Sequence, residues 1–117
     1  MGRLTTHVLD TCNGCPAAHL DLQLWRMEGN QARLLTGCKT NADGRCDAPL
    51  LEGVTMVSGE YQLHFAVGSY FAARGIALPD PSFLDDVVVQ FGISNTTEHY
   101  HVPLLVSPYG YSTYRGS

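Results

Sequence analysis

The sequence predicts an antiparallel β-sandwich of about seven or eight strands with one short helix. Three observations carry that reading. Apolar and polar residues alternate with a period of two in several separate segments, turn-forming residues stand between those segments, and one stretch alone has helical composition.

Taken in order, Leu4 to Leu9 is short and β-rich, and the Asn13-Gly14 turn follows it. His19 to Met27 places Leu20, Leu22 and Leu24 on one face and His19, Asp21 and Gln23 on the other, as a half-buried strand requires. After the Glu28-Gly29-Asn30 turn, Ala32 to Lys39 reads as a further strand. Tyr61 to Val67 alternates again, with Tyr61, Leu63, Phe65 and Val67 on one side. Ser69 to Arg74 has an N-cap serine, two alanines and a stopping Gly75, which predicts a short helix. Val87 to Phe91 and His99 to Val106 complete the strands. Within the last of these, Pro103 cannot donate a ladder hydrogen bond, so it predicts an edge or a bulge. The closing YSTYRGS is aromatic where a fraying tail would be polar, so an ordered tail is expected.

A chain of 117 residues accommodates one domain, taken as 1–117. Charged residues make up only 15% of it and the net charge is -4, with the seven basic side chains scattered at 3, 26, 33, 39, 45, 74 and 115. That distribution argues against a nucleic-acid partner. MGRLTTHVLD lacks the apolar core of a secretory signal and no segment reaches the roughly 18 apolar residues of a membrane span, so a cytoplasmic protein without membrane partners is expected. Asn95-Thr96-Thr97 matches a glycosylation sequon by chance on this reading. Cys12-Asn13-Gly14-Cys15 is formally a C-x-x-C, but Pro16 and a polar alternating segment follow where a redox site needs a helix. Cys38 and Cys46 lack a second ligand pair at zinc spacing. In a reducing compartment all four cysteines are expected as free thiols, a C-x-x-C redox protein being the lesser alternative.

His99 and His101 share a strand face opposite Tyr100, Val102, Leu104 and Val106, while His7 shares its face with Thr5 and Leu9. Arg45 follows the Ala42-Asp43-Gly44 turn. The chain has no nucleophile elbow, phosphate loop or dinucleotide fingerprint. Taken singly, a histidine on a polar strand face is usually a solvated group, and a lone arginine usually a surface ion-pair partner.

Taken together, Leu4-Thr5-Thr6-His7-Val8-Leu9-Asp10 with Gly14-Cys15-Pro16-Ala17, then Gly44-Arg45, then His99 through Pro108, then Tyr114-Arg115-Gly116-Ser117, resemble the 5-hydroxyisourate hydrolases of the transthyretin-like family. The resemblance spans essentially the whole chain, and Tyr-Arg-Gly-Ser is its most specific mark. It implies a transthyretin-like sandwich assembled as a homotetramer, a dimer of dimers, with active sites in a channel where dimers meet. It further implies hydrolytic opening of a cyclic amide in urate degradation, from 5-hydroxyisourate to 2-oxo-4-hydroxy-4-carboxy-5-ureidoimidazoline. His7, Arg45, His101 and Tyr114 match the catalytic positions, and His7, Arg45, Tyr114, Arg115, Gly116 and Ser117 would contact substrate. Only the second histidine of the His99/His101 pair matches. The scheme requires no metal and no cofactor. The runner-up is non-catalytic binding of a thyroid-hormone-like molecule in the same channel, which a non-ionisable residue at 7 or 101 and a longer tail would favour.

Overall fold

The computed structural model describes residues 2–116. Two sheets face each other. The first contains β1 (Arg3–Asp10), β2 (Cys15–Pro16), β5 (Leu51–Glu52), β8 (Tyr100–Ser107) and β9 (Gly110–Thr113), with path order β2-β1-β8-β9 and β5 also on β1. The second has the order β4-β3-β6-β7, from β3 (Asp21–Glu28), β4 (Gln31–Lys39), β6 (Gly59–Ala66) and β7 (Asp86–Ile93). The helix α1 (Val67–Ala73) follows β6 directly. All pairings are antiparallel except β1 with β8, which run parallel with Thr5 opposite His101 and His7 opposite Pro103.

The alternation seen in sequence has its physical counterpart between the sheets. Leu4, Val8, Val102, Leu104 and Val106 point inward from the first sheet and meet Leu22, Leu24, Tyr61, Leu63, Phe65 and Val87 from the second, all buried. The outward partners Thr5, His7 and Leu9 on β1, and His101 and Leu105 on β8, are left half-buried on the opposite face.

Three expectations need correction. The helix begins at Val67 rather than Ser69 and has no side-chain cap; the Gly68 N–H donates instead to the Asp85 carbonyl at 2.9 Å, so a tertiary partner replaces the cap. Pro103 lies in an interior strand, buried between β1 and β9. Its missing donor still has a consequence. The ladder to β9 stops at Leu104 opposite Thr113, and the Thr113 hydroxyl donates to the Pro103 carbonyl at 2.7 Å. Finally, Cys38 and Cys46 are not free thiols but form a disulfide across a separation of eight residues, while Cys12 and Cys15 are free. The spacing alone gave no sign of the bridge, because it is topology that returns the loop after β4 to the end of that strand.

At the far end of β1, the Asp10 carboxylate is buried yet fully engaged. It accepts from the Asn13 backbone at 2.9 Å, from the Asn13 amide at 2.7 Å and from the Tyr70 hydroxyl at 2.8 Å, pinning the following turn and α1 to the sheet.

Candidate active site

The free edge of β1 is covered by three segments in succession. β5 pairs at Arg3 and Leu4, and β2 pairs at Leu9 and Asp10. In the interval between them Arg45 forms an isolated antiparallel bridge with His7. The close approach is possible because residue 44 is glycine. Its φ is +76°, and a Cβ there would stand 2.4 Å from the Val8 carbonyl oxygen. The Val8 N–H donates to the Gly44 carbonyl at 2.9 Å and closes the seam. Asn41 organises the rest of the loop. Its side-chain oxygen accepts from the N–H groups of Asp43 (2.9 Å) and Arg45 (3.1 Å), its own N–H donates to the Arg45 carbonyl at 2.8 Å, and its amide donates to Asp47 at 3.0 Å. Among the described residues no carboxylate lies within ion-pair distance of the Arg45 guanidinium.

His101 is held from two sides. Its Nδ1 lies 2.8 Å from the Thr5 hydroxyl across the parallel pair. The tail closes on the other side, where the Gly116 N–H donates to the His101 carbonyl at 2.7 Å in a second isolated bridge. A Cβ at Gly116 would stand 2.7 Å from the imidazole Cδ2, so only glycine lets the tail pass this ring. With Nδ1 engaged by Thr5, Nε2 is the nitrogen left for chemistry.

Both imidazoles are biased toward their neutral form. Burial lowers the His7 pKa and the Arg45 charge lowers it further, against a raising hydrogen bond from the ring to the Asp43 backbone. Burial likewise lowers the His101 pKa, followed by the charges of Arg45 and His7. The three groups therefore sense one another. A neutral imidazole beside a guanidinium can accept a proton from water while the cation stabilises negative charge nearby.

The structure thus brings His7, Arg45 and His101 to one face, with Gly116 against His101. Tyr114 is 61% exposed on the same tail. Arg115 turns to the rim, where it donates to Glu98 at 3.1 Å and to the His99 carbonyl at 3.0 Å and covers the Tyr100 ring at 4.1 Å. His99 is exposed. Ser117 lies outside the described residues. Sequence reasoning missed Thr5 and Asn41. A depression of about 240 Å³ beside Arg45 is lined by Arg3, Thr5 and Asp47 among others. A larger cleft of about 570 Å³ lies elsewhere, but its Arg26 and Arg33 are already engaged by Tyr61 and Glu28.

Two facing sheets, with two imidazoles and a guanidinium on one outer face, define a β-sandwich that carries a polar cluster on one of its sheets. Comparison with known proteins makes the class specific. A model described as the HIUase/Transthyretin family matches residues 4–116. A 5-hydroxyisourate hydrolase of Pseudomonas aeruginosa is 57% identical over 117 residues, covering 100% of this chain and 93% of the relative. The solved 5-hydroxyisourate hydrolase of Klebsiella pneumoniae is 36% identical with a TM-score of 0.82, covering 100% of both chains. Sea bream transthyretin, solved with thyroxine, has a TM-score of 0.87 at 24% identity over 97% of this chain and 94% of its own, a likeness of fold alone. The chain belongs to the HIUase/transthyretin family.

Proposed function

We propose that this chain hydrolyses 5-hydroxyisourate, the activity in the names of its full-length relatives, and that the product is 2-oxo-4-hydroxy-4-carboxy-5-ureidoimidazoline. The observation that carries the mechanism is the junction of His7, Arg45 and His101 on one sheet face, with the Thr5 hydroxyl bonded to the His101 ring and the Gly116 N–H bonded to the His101 carbonyl.

In this mechanism His101 Nε2 takes a proton from water as the water oxygen bonds to the cyclic amide carbonyl carbon. The carbonyl electron pair moves onto its oxygen, where the Arg45 guanidinium donates to it. Collapse of the tetrahedral species breaks the carbon–nitrogen bond, and the His101 imidazolium returns its proton to the departing nitrogen. The new carboxylic acid then ionises. His7 and the exposed Tyr114 contact the heterocycle, and Gly116 shapes the pocket, with Arg115 bracing the tail. No metal or cofactor enters these steps. Titratable groups at both 7 and 101 favour catalysis over the thyroid-hormone-like binding role.

The reading carries with it one catalytic domain, a homotetrameric dimer of dimers whose channel holds the sites, and a place in urate degradation. It also carries a cytoplasmic setting, where the Cys38–Cys46 bridge would exchange with thiol reductants. The test is hydrolysis in ¹⁸O-labelled water. One label in the new carboxylate, formed at a rate proportional to protein concentration, is the result expected. No acceleration over the protein-free reaction sinks the reading.

A further inference from the structure

The Cys38–Cys46 disulfide sits at the junction between structure and site. Cys38 is near the end of β4, the edge strand of the second sheet, where it stands opposite Leu22 of β3. Cys46 immediately follows Arg45, which bridges His7 in the first sheet. The bond therefore ties the arginine-bearing loop of one sheet to the edge of the other. Upstream of the arginine the loop is already anchored. Thr40 is buried, donates through its hydroxyl to the Ala17 carbonyl at 2.6 Å and accepts from the Leu20 N–H at 2.9 Å, and Asn41 gathers the turn. Downstream, the Cys46 sulfur is the first anchor after Arg45, ahead of the bond from the Leu50 N–H to the Leu4 carbonyl at 2.8 Å. Arg45 itself is exposed and its guanidinium has no carboxylate partner within ion-pair distance among the described residues, so apart from the bridge the side-chain hold on the loop just past Arg45 is the exposed bond from the Asn41 amide to Asp47 at 3.0 Å.

We propose that the Cys38–Cys46 disulfide is a positioning device for Arg45, and that opening it lowers turnover while the sandwich stays folded, making activity redox-sensitive. The inference rests on the hydrolase reading. Cys38 and Cys46 touch no reacting atom in it and act only through the arginine. The exchange is balanced. A dithiothreitol thiolate attacks one sulfur of the bridge and releases the other as a thiolate, then its second thiol displaces the first sulfur. Two protein thiols and one cyclic disulfide result. Glutathione disulfide reverses the process, yielding two molecules of glutathione.

The test uses the Cys12→Ser/Cys15→Ser protein, so that only the bridge responds, and counts alkylated cysteines by mass spectrometry alongside kcat/KM on 5-hydroxyisourate. Reduction is expected to expose two thiols and to lower kcat/KM by about tenfold to a hundredfold, the scale of a misplaced catalytic group. Glutathione disulfide should restore it, and Cys38→Ser/Cys46→Ser should sit at the reduced level whatever the redox state. In an Arg45→Lys background, which lacks the fixed fork, reduction should change kcat/KM by less than about twofold. An equal loss in that background would mean the bridge supports the fold at large, and would overturn the proposal. So would undiminished turnover with both thiols counted, or two free thiols in the oxidised protein. Absence of turnover in both redox states is a different failure, that of the hydrolase reading itself, and the inference falls with it.

Discussion

His101 illustrates what one residue's position encodes. Its parity against Tyr100, Val102, Leu104 and Val106 placed it on the outer face, and the structure leaves it half-buried there. Its Thr5 partner was not legible, because the contact joins residues 96 apart through a parallel pairing that no local pattern announces. The electrostatics make a testable claim. Burial and the Arg45 charge hold the His7 and His101 pKa values below the ordinary 6.5. A base of lowered pKa stays neutral further into acid, so kcat/KM should be flat at neutral pH and fall only at pH values below 6.5. Arg45→Gln removes one lowering charge, so proton NMR titration of the two imidazoles should show both midpoints rising. Unmoved midpoints would mean that the guanidinium does not reach the histidines. The hydroxyl of Thr5 has a smaller predicted role. Thr5→Val should lower kcat by about tenfold, the equivalent of one hydrogen bond of roughly 1.4 kcal/mol, with KM little changed. A KM effect alone would assign Thr5 to substrate binding instead.

At the level of elements, the long strands were readable because each buries one face, as Leu22 and Leu24 on β3 and Tyr61, Leu63 and Phe65 on β6 show. The two-residue strands β2 and β5 were not, being too short to display a period. They matter nonetheless, since they leave the interval on the β1 edge that Arg45 fills. The aromatic tail proved ordered through β9 and the Gly116 bridge, although Tyr109, Tyr111 and Tyr114 remain exposed. Gly116 gives the sharpest test of this element. A methyl there meets the His101 ring at 2.7 Å, so Gly116→Ala should lower kcat at least about tenfold while shifting the thermal midpoint by no more than a few degrees. An equal loss of stability and activity would make the tail a structural clasp.

Across the whole molecule, the cluster of Asp10, Asn13 and Tyr70 is separate from the proposed site at His7, Arg45 and His101. Burial works against the Asp10 charge, but bonds from Asn13 and Tyr70 outweigh it and hold the carboxyl below its usual 3.8. The stabilisation is therefore complete above that value and is lost as pH falls below it through the folded pKa. Tyr70→Phe leaves the buried carboxylate short of one donor and should cost about 1–3 kcal/mol in urea unfolding, with kcat per folded molecule unchanged. A change in kcat would link this cluster to the site. The disulfide was the feature of the whole that sequence concealed. Two cysteines eight apart carry no pairing signal until the fold of the 40–46 loop brings them together.

The central claim is that His101, held between Thr5 and Gly116 beside Arg45, is the base that opens 5-hydroxyisourate. The most direct measurement is the ultraviolet decay of freshly generated 5-hydroxyisourate with the wild-type protein and with His101→Asn, each confirmed folded by circular dichroism. The account predicts strong acceleration by the wild type and a loss of about 10²-fold or more in the variant. Equal acceleration by a folded His101→Asn protein would contradict it.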